Sequence, residues 1–248
     1  MMATEILKNL QQTRVQGAKK IALLIDPDTP SAKELERLLA VTNQAKVDYI
    51  FVGGSLLLKD ALTDCIKTVK SLSQAPVILF PGSVMQVNDA ADAILFLSLI
   101  SGRNPDLLIG NQVIAAPYLK QLSLEILPTG YMLIESGQAT TASYMSNSLP
   151  IPANKPEIAA CTAMAGEMLG LQLIYLDGGS GAKNPVTTET ISAVRQAVNA
   201  PIIVGGGIKT PEKALANCKA GADVIVVGNA TEKDPELLLE IAGAIHQF

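Results

Sequence analysis

The chain has 248 residues, of which 48% are hydrophobic and 17% charged, and it carries a formal net charge of −4. That length suits one α/β barrel of about 250 residues or two small domains. The mild acidity offers no clustered basic face for nucleic acid, and no segment holds the roughly 18 uninterrupted apolar residues of a membrane span.

The opening stretch Met1–Leu10 carries polar residues throughout and lacks a signal peptide's apolar region, so a cytoplasmic location is expected. Short apolar runs rich in β-branched residues then mark eight strands, at 21–25, 49–52, 77–80, 93–97, 125–127 continued by 131–134, 173–176, 202–204 and 224–227. None alternates between apolar and polar residues, as expected of strands covered on both faces in a parallel sheet. Amphipathic helical patterns separate most of them. Ser31-Ala-Lys-Glu34 reads as a capping box ahead of Leu35, Leu38 and Leu39. Lys155-Pro156 opens another helix that Gly170 should close, and Thr210-Pro211 repeats the device before Ala214 and Leu215. The stretch after Phe80 is too short and glycine-rich for a full helix before Ala93. The expectation is one (β/α)8 TIM barrel over residues 1–248 with a reduced third crossover. Its rival is an open doubly wound sheet, but Ile25-Asp-Pro-Asp28 stands where that fold's G-x-G-x-x-G would follow the first strand.

Cys65, Cys161 and Cys218 are widely spaced and form no CxxC, which points to reduced thiols packed in helices. The only histidine, His246, excludes histidine-dependent triads and multi-histidine metal sites.

In TIM barrels the strand C-terminal ends and the loops after them build the active site. The residues there are unlike the rest of the strands. Gly178-Gly179-Ser180-Gly181, Gly205-Gly206-Gly207 and Gly228-Asn229 follow the last three strands, where backbone N–H groups often hold a phosphate. Any one of these clusters can be no more than a turn; three at one place point to phosphate. Asp26, after the first strand, with Ser55 after the second, suits Mg²⁺, which binds through one or two carboxylates, waters and substrate phosphates. Asp28 before Thr29-Pro30 is a cap or turn former. Asp177 could take a hydroxyl proton or only orient that hydroxyl. Tyr175, two residues earlier on the same face, either reaches the same ligand or packs the core. Glu135 is an ancillary polar contact, and Lys209 stays open as an imine former.

Together, Ile25-Asp-Pro-Asp28, Phe51-Val-Gly-Gly-Ser55, Leu79-Phe-Pro-Gly82, Tyr175-Leu-Asp-Gly-Gly-Ser-Gly181, Ile203-Val-Gly-Gly-Gly-Ile208 and Ala222-Asp-Val-Ile-Val-Val-Gly228 resemble the geranylgeranylglyceryl phosphate synthase family, whose relatives include heptaprenylglyceryl phosphate synthase. The resemblance implies a Mg²⁺-dependent prenyltransferase joining sn-glycerol 1-phosphate to a polyprenyl diphosphate, geranylgeranyl diphosphate foremost. It maps Asp26 and Ser55 onto metal-binding positions. It maps Tyr175, Leu176, Asp177, Gly178, Gly179, Ser180 and Gly181, with Gly206, Gly207, Gly228 and Asn229, onto the glycerol phosphate site, Tyr175 and Asp177 being the catalytic candidates. Many relatives carry glutamate at Asp177. The segment 98–111 resembles the family's longer-chain-length, often oligomeric branch, and the apolar helix surfaces of such barrels imply a dimer or hexamer. Two readings compete with this one: a metal-independent phosphosugar isomerase or lyase on the same barrel, and a non-catalytic carrier of a phosphorylated lipid head group.

Overall fold

The computed structural model describes residues 5–248, so Met1–Thr4 lies outside it. Eight parallel strands close into a barrel: β1 (Lys20–Ile25), β2 (Tyr49–Val52), β3 (Val77–Leu79), β4 (Ala93–Leu99), β5 (Glu125–Leu133), β6 (Leu173–Asp177), β7 (Ile202–Gly205) and β8 (Val224–Val227). Pairing of β1 with β8 seals the cylinder. Every residue of β2, β6, β7 and β8 is buried, which is why no alternation is visible in them. Alternation exists all the same, between two apolar layers. Phe51, Ile78, Leu95, Leu127, Tyr175 and Ile203 fill the barrel, whereas Ile50, Val52, Leu79 and Leu176 meet the surrounding helices.

Those helices are α1 (Glu5–Gln16), α2 (Ala32–Gln44), α3 (Leu62–Leu72), α4 (Asn111–Leu119), α5 (Thr141–Met145), α6 (Pro156–Met168), α7 (Thr188–Ala197), α8 (Pro211–Ala220), α9 (Asn229–Lys233) and α10 (Glu236–His246). The Ser31 capping box closes as expected, Pro156 and Pro211 open α6 and α8, and Gly170 lies just past the end of α6. Between β3 and β4 only a 3-10 turn, Val84–Gln86, replaces a helix. The third crossover is indeed reduced.

Three points differ from expectation. β5 is continuous through Pro128 and Gly130, which read as breakers in the sequence. Pro128 gives up no acceptor, since its carbonyl takes the Gln172 N–H at 2.9 Å, and Gly130 is bare because a Cβ there would meet Ile100 Cδ1 at 2.8 Å. Cys65 and Cys218 are buried, their thiols pushed up by desolvation to about 11, but Cys161 is exposed on α6. Finally, α1 stoppers the lower mouth. Ile6, Leu7 and Leu10 join the interior layer, and the Glu125 carboxylate accepts the N–H groups of Ile6 (3.0 Å) and Leu7 (2.8 Å) in its first turn.

The same lower end is fastened by a repeated device. Asp48, Asp92 and Asp223, each one residue before an even-numbered strand, accept the N–H of Ile21 (2.9 Å), Val77 (2.8 Å) and Ile202 (2.9 Å) on the preceding odd strand. Each also pairs with a cation: Lys20, Lys70, and Arg195 with Lys19. A rigid base therefore carries an upper rim made of turns.

Candidate active site

Since all eight strands are parallel, Asp26, Ser55, Asp177, Gly206 and Gly228 end on one rim. Two cavities adjoin there, one of about 1,020 Å³ and one of about 80 Å³. Leu24, Asp177, Ser180 and Asn229 border both.

The smaller cavity is built from the glycine turns after β6, β7 and β8. Gly206 has a φ of +83°, and a Cβ there would stand 2.7 Å from the amide nitrogens of Gly178 and Gly179. Only glycine fits. Among the hydrogen bonds of the described residues outside helices and strands, none uses the N–H of Gly206, Gly207 or Gly228. These donors are open to solvent or to a ligand. The Asn229 side chain donates to Ser180 Oγ at 3.1 Å and so links two of the turns, and Lys209 adds a positive charge to the wall. Leu176 and Gly178 do not border the cavity. Leu176 packs outward among the helices, because its neighbours Tyr175 and Asp177 take the inward positions. Gly178 gives its N–H to Gly205 O at 3.1 Å and packs behind the turn.

Asp177 is only 6% exposed and holds two donors, the Tyr131 hydroxyl at 2.6 Å and the Gly179 N–H at 2.7 Å. Burial pushes its carboxyl above the usual range, while those two hydrogen bonds pull it partly back. Burial and the charge of Asp177 push the Tyr131 phenol up, so Tyr131 stays a donor. Tyr175 lies in the packed interior, stacked on Phe80 with centroids 5.1 Å apart, and its hydroxyl occupies the space that a Cβ on Gly205 would need. It packs the core and also borders the smaller cavity.

Across the rim, Asp26 is half-buried and accepts the Asp28 N–H at 3.0 Å through Oδ1. Burial pushes its carboxyl up, with the Asp28 N–H opposing, the Asp28 charge adding, and Lys59 opposing. Its Oδ2 faces Gly54, next to Ser55, and both Asp26 and Ser55 line the larger cavity. No group of three or more His, Cys, Asp or Glu able to hold a metal exists among the described residues. A carboxylate oxygen open to a cavity that Ser55 of the next loop also lines still fits a hard cation that keeps waters and takes its other ligands from a phosphorylated substrate. Asp28 does not cap α2, a role that Ser31 fills; its carboxylate accepts the N–H groups of Leu58 and Lys59 and pins the loop after β2. Gln86 joins the next two loops by donating to Gly54 O (2.9 Å) and accepting from Gly82 N (3.1 Å). Glu135 is exposed, accepts the Ala153 N–H at 3.4 Å, and borders neither cavity, so the ancillary contact expected of it is absent.

From the Asp26 end the larger cavity passes Phe80, Leu97 and Leu133 and reaches Ala115 and Leu119 of α4 beside the shortened third crossover. Its volume lies at the upper end of the roughly 300–1,000 Å³ usual for small-molecule sites. Tyr131 and Phe80 were not singled out as site residues in the sequence. Cross-strand register, which pairs Tyr131 with Tyr175, reveals the first, and ring contacts with both tyrosines reveal the second.

The model of the PcrB family matches residues 13–245. A geranylgeranylglyceryl phosphate synthase of Chitinophaga pinensis is 53% identical over 99% of this chain and 97% of its own length. One of Spirosoma linguale is 55% identical over 96% of each. The crystal structure of (S)-3-O-geranylgeranylglyceryl phosphate synthase from Thermoplasma acidophilum, in complex with its substrate sn-glycerol-1-phosphate, superposes with a TM-score of 0.92 at 32% identity and covers 100% of both chains. On these matches the chain belongs to the PcrB family, the family of the geranylgeranylglyceryl phosphate synthases, and is a transferase.

Proposed function

We propose that this chain joins sn-glycerol 1-phosphate to a polyprenyl diphosphate, with geranylgeranyl diphosphate as donor, forming an ether and releasing diphosphate. The observation that carries this reading is the pair of adjoining cavities: a small one with unpaired amides in its turns and a large one with a predominantly apolar lining, meeting at Asp177. The acceptor phosphate rests on the N–H groups of Gly206, Gly207 and Gly228, with Ser180 and Asn229 at its edge and Lys209 beside it. Its hydroxyl is thereby aimed at Asp177. Fixing two reactants in this way replaces a bimolecular encounter with an almost unimolecular step.

The allylic C–O bond of the donor breaks and its electron pair leaves with the diphosphate. The glycerol hydroxyl oxygen bonds to the allylic carbon, and its proton passes to Asp177. A carboxylate pushed up by burial takes that proton more readily than a solvated one. Phe80, Leu97 and Leu133 keep water from the carbon. Asp26 and Ser55 would hold Mg²⁺, whose charge would neutralise the departing diphosphate. We also propose that the chain acts as a homo-oligomer, because Val113, Ile114 and Tyr118 of α4 are 64%, 56% and 66% exposed and form an apolar surface that a second copy would cover.

Mass spectrometry of products from the purified protein, glycerol phosphate, Mg²⁺ and prenyl diphosphates of several lengths tests the reaction. A prenylglyceryl phosphate should form only with both substrates and Mg²⁺, and Asp26→Ala should abolish transfer while leaving glycerol phosphate bound. Full activity in excess EDTA would overturn the metal assignment. Turnover of a small phosphosugar without prenyl diphosphate would establish the isomerase or lyase reading instead, and ligand binding with no product in any mixture would establish the carrier.

A further inference from the structure

Positive charge develops on the allylic carbon of a prenyl diphosphate as its C–O bond stretches, and a wall of aliphatic side chains does little for that charge. The larger cavity has two aromatic rings in its wall near Asp177: Tyr131, which donates to that carboxylate, and Phe80. Phe80 follows β3 and is held on three sides. Its ring is stacked on Tyr175 at 5.1 Å with the planes 22° apart, and meets Tyr131 at 5.7 Å and Phe51 at 6.3 Å near right angles. Its backbone is equally constrained, since its carbonyl lies against the bare Cα of Gly53, where a Cβ would come within 2.1 Å. A phenylalanine so fixed at the mouth of a barrel would ordinarily be fully buried. This one keeps part of its surface open, and it borders the cavity.

We propose that the ring of Phe80 is a catalytic residue, whose face away from Tyr175 meets the allylic carbon and stabilises its positive charge by cation–π attraction. The inference deepens the prenyl-transfer reading and rests on it. The ring meets Tyr131 edge to face, and the Tyr131 hydroxyl donates to the carboxylate that receives the hydroxyl proton. Bond breaking, bond making and proton transfer thus share one small volume. Such attraction acts on charge that exists only near the transition state, so it raises the rate without tightening donor binding.

Phe80 is replaced by 4-fluoro-, 3,5-difluoro- and 3,4,5-trifluorophenylalanine, which nearly keep the ring's volume while weakening its negative face step by step. Single-turnover prenyl transfer, KM for the prenyl diphosphate and Tm are measured for each, with Phe80→Leu as the non-aromatic limit. The expected result is a stepwise fall in rate reaching about 10-fold at the trifluoro ring, with KM and Tm unchanged and Phe80→Leu at least as slow. A flat fluorine series with an active parent overturns this inference alone, whatever the fate of Phe80→Leu. A parent that makes no prenylglyceryl phosphate overturns the prenyl-transfer reading and this inference with it.

Discussion

Asp177 combines deep burial with a charge, and the two pull against each other. Its carboxyl titrates above the ordinary value because desolvation outweighs the hydrogen bonds from Tyr131 and Gly179. A raised carboxylate in the folded state means that the native protein takes up its proton before the unfolded chain does. The group's favourable contribution is therefore present at acid pH and is lost as pH rises through the folded value. At neutral pH the buried charge costs stability, a cost that the proposed role in proton transfer would account for. Asp177→Asn should lower kcat/KM by about 10²–10⁴ while leaving Tm at pH 8 equal to or above the parent's, with the two Tm values converging toward acid. In the parent, kcat/KM should fall on the acid side with a midpoint above the usual carboxylate range, and that limb should vanish in the variant. A stopped-assay pH profile beside calorimetry checks both halves; a variant of full activity would remove Asp177 from the proton's route.

At the scale of elements, α1 and the carboxylate network at the base of the barrel hold the strands that the rim depends on. Glu125→Ala removes the acceptor for two N–H groups in the first turn of α1. The expected cost is about 1 kcal/mol, a fall in Tm of ~2–4 °C in a chain of this size, with KM for both substrates unchanged because the site lies at the other end. Thermal unfolding and steady-state kinetics on the same preparation check it. Much of this architecture is legible in sequence, for identifiable reasons. Strands buried on both faces announce themselves as unbroken β-branched runs, and the caps at Ser31, Pro156 and Pro211 act within one turn of their own residues. The continuity of β5 is hidden because Pro128 and Gly130 look like punctuation until the neighbours that tolerate them are known. The helix α1 is hidden because Ile6, Leu7 and Leu10 are buried only by the barrel they plug. In the site, the glycine turns and Asp177 are legible as departures from strand chemistry. The inward places of Tyr131 and Phe80, and the outward place of Leu176, depend on register and had to come from the structure.

Over the whole molecule, a net charge of −4 would repel two anionic substrates if the overall field decided binding. In the reaction proposed here local groups would decide it instead: unpaired amides and Lys209 on one side, and on the other a Mg²⁺ held at Asp26 and Ser55. The apolar face of α4 is the other molecular-scale feature. Ile114→Glu should convert the oligomer to a monomer in sedimentation velocity, since a charge buried between copies is costly without a partner; a parent that already sediments as a monomer would refute the assembly. No helix among the described residues is long and apolar enough to cross a membrane.

The stopper at the base has a consequence for traffic. With α1 seated under the strands and tied to Glu125, nothing can thread through the cylinder from below. For the reaction proposed here, both reactants arrive and the finished lipid departs by the same side. Each completed ether would therefore have to back its greasy tail out of the doorway it came in by before the next pair of guests could enter.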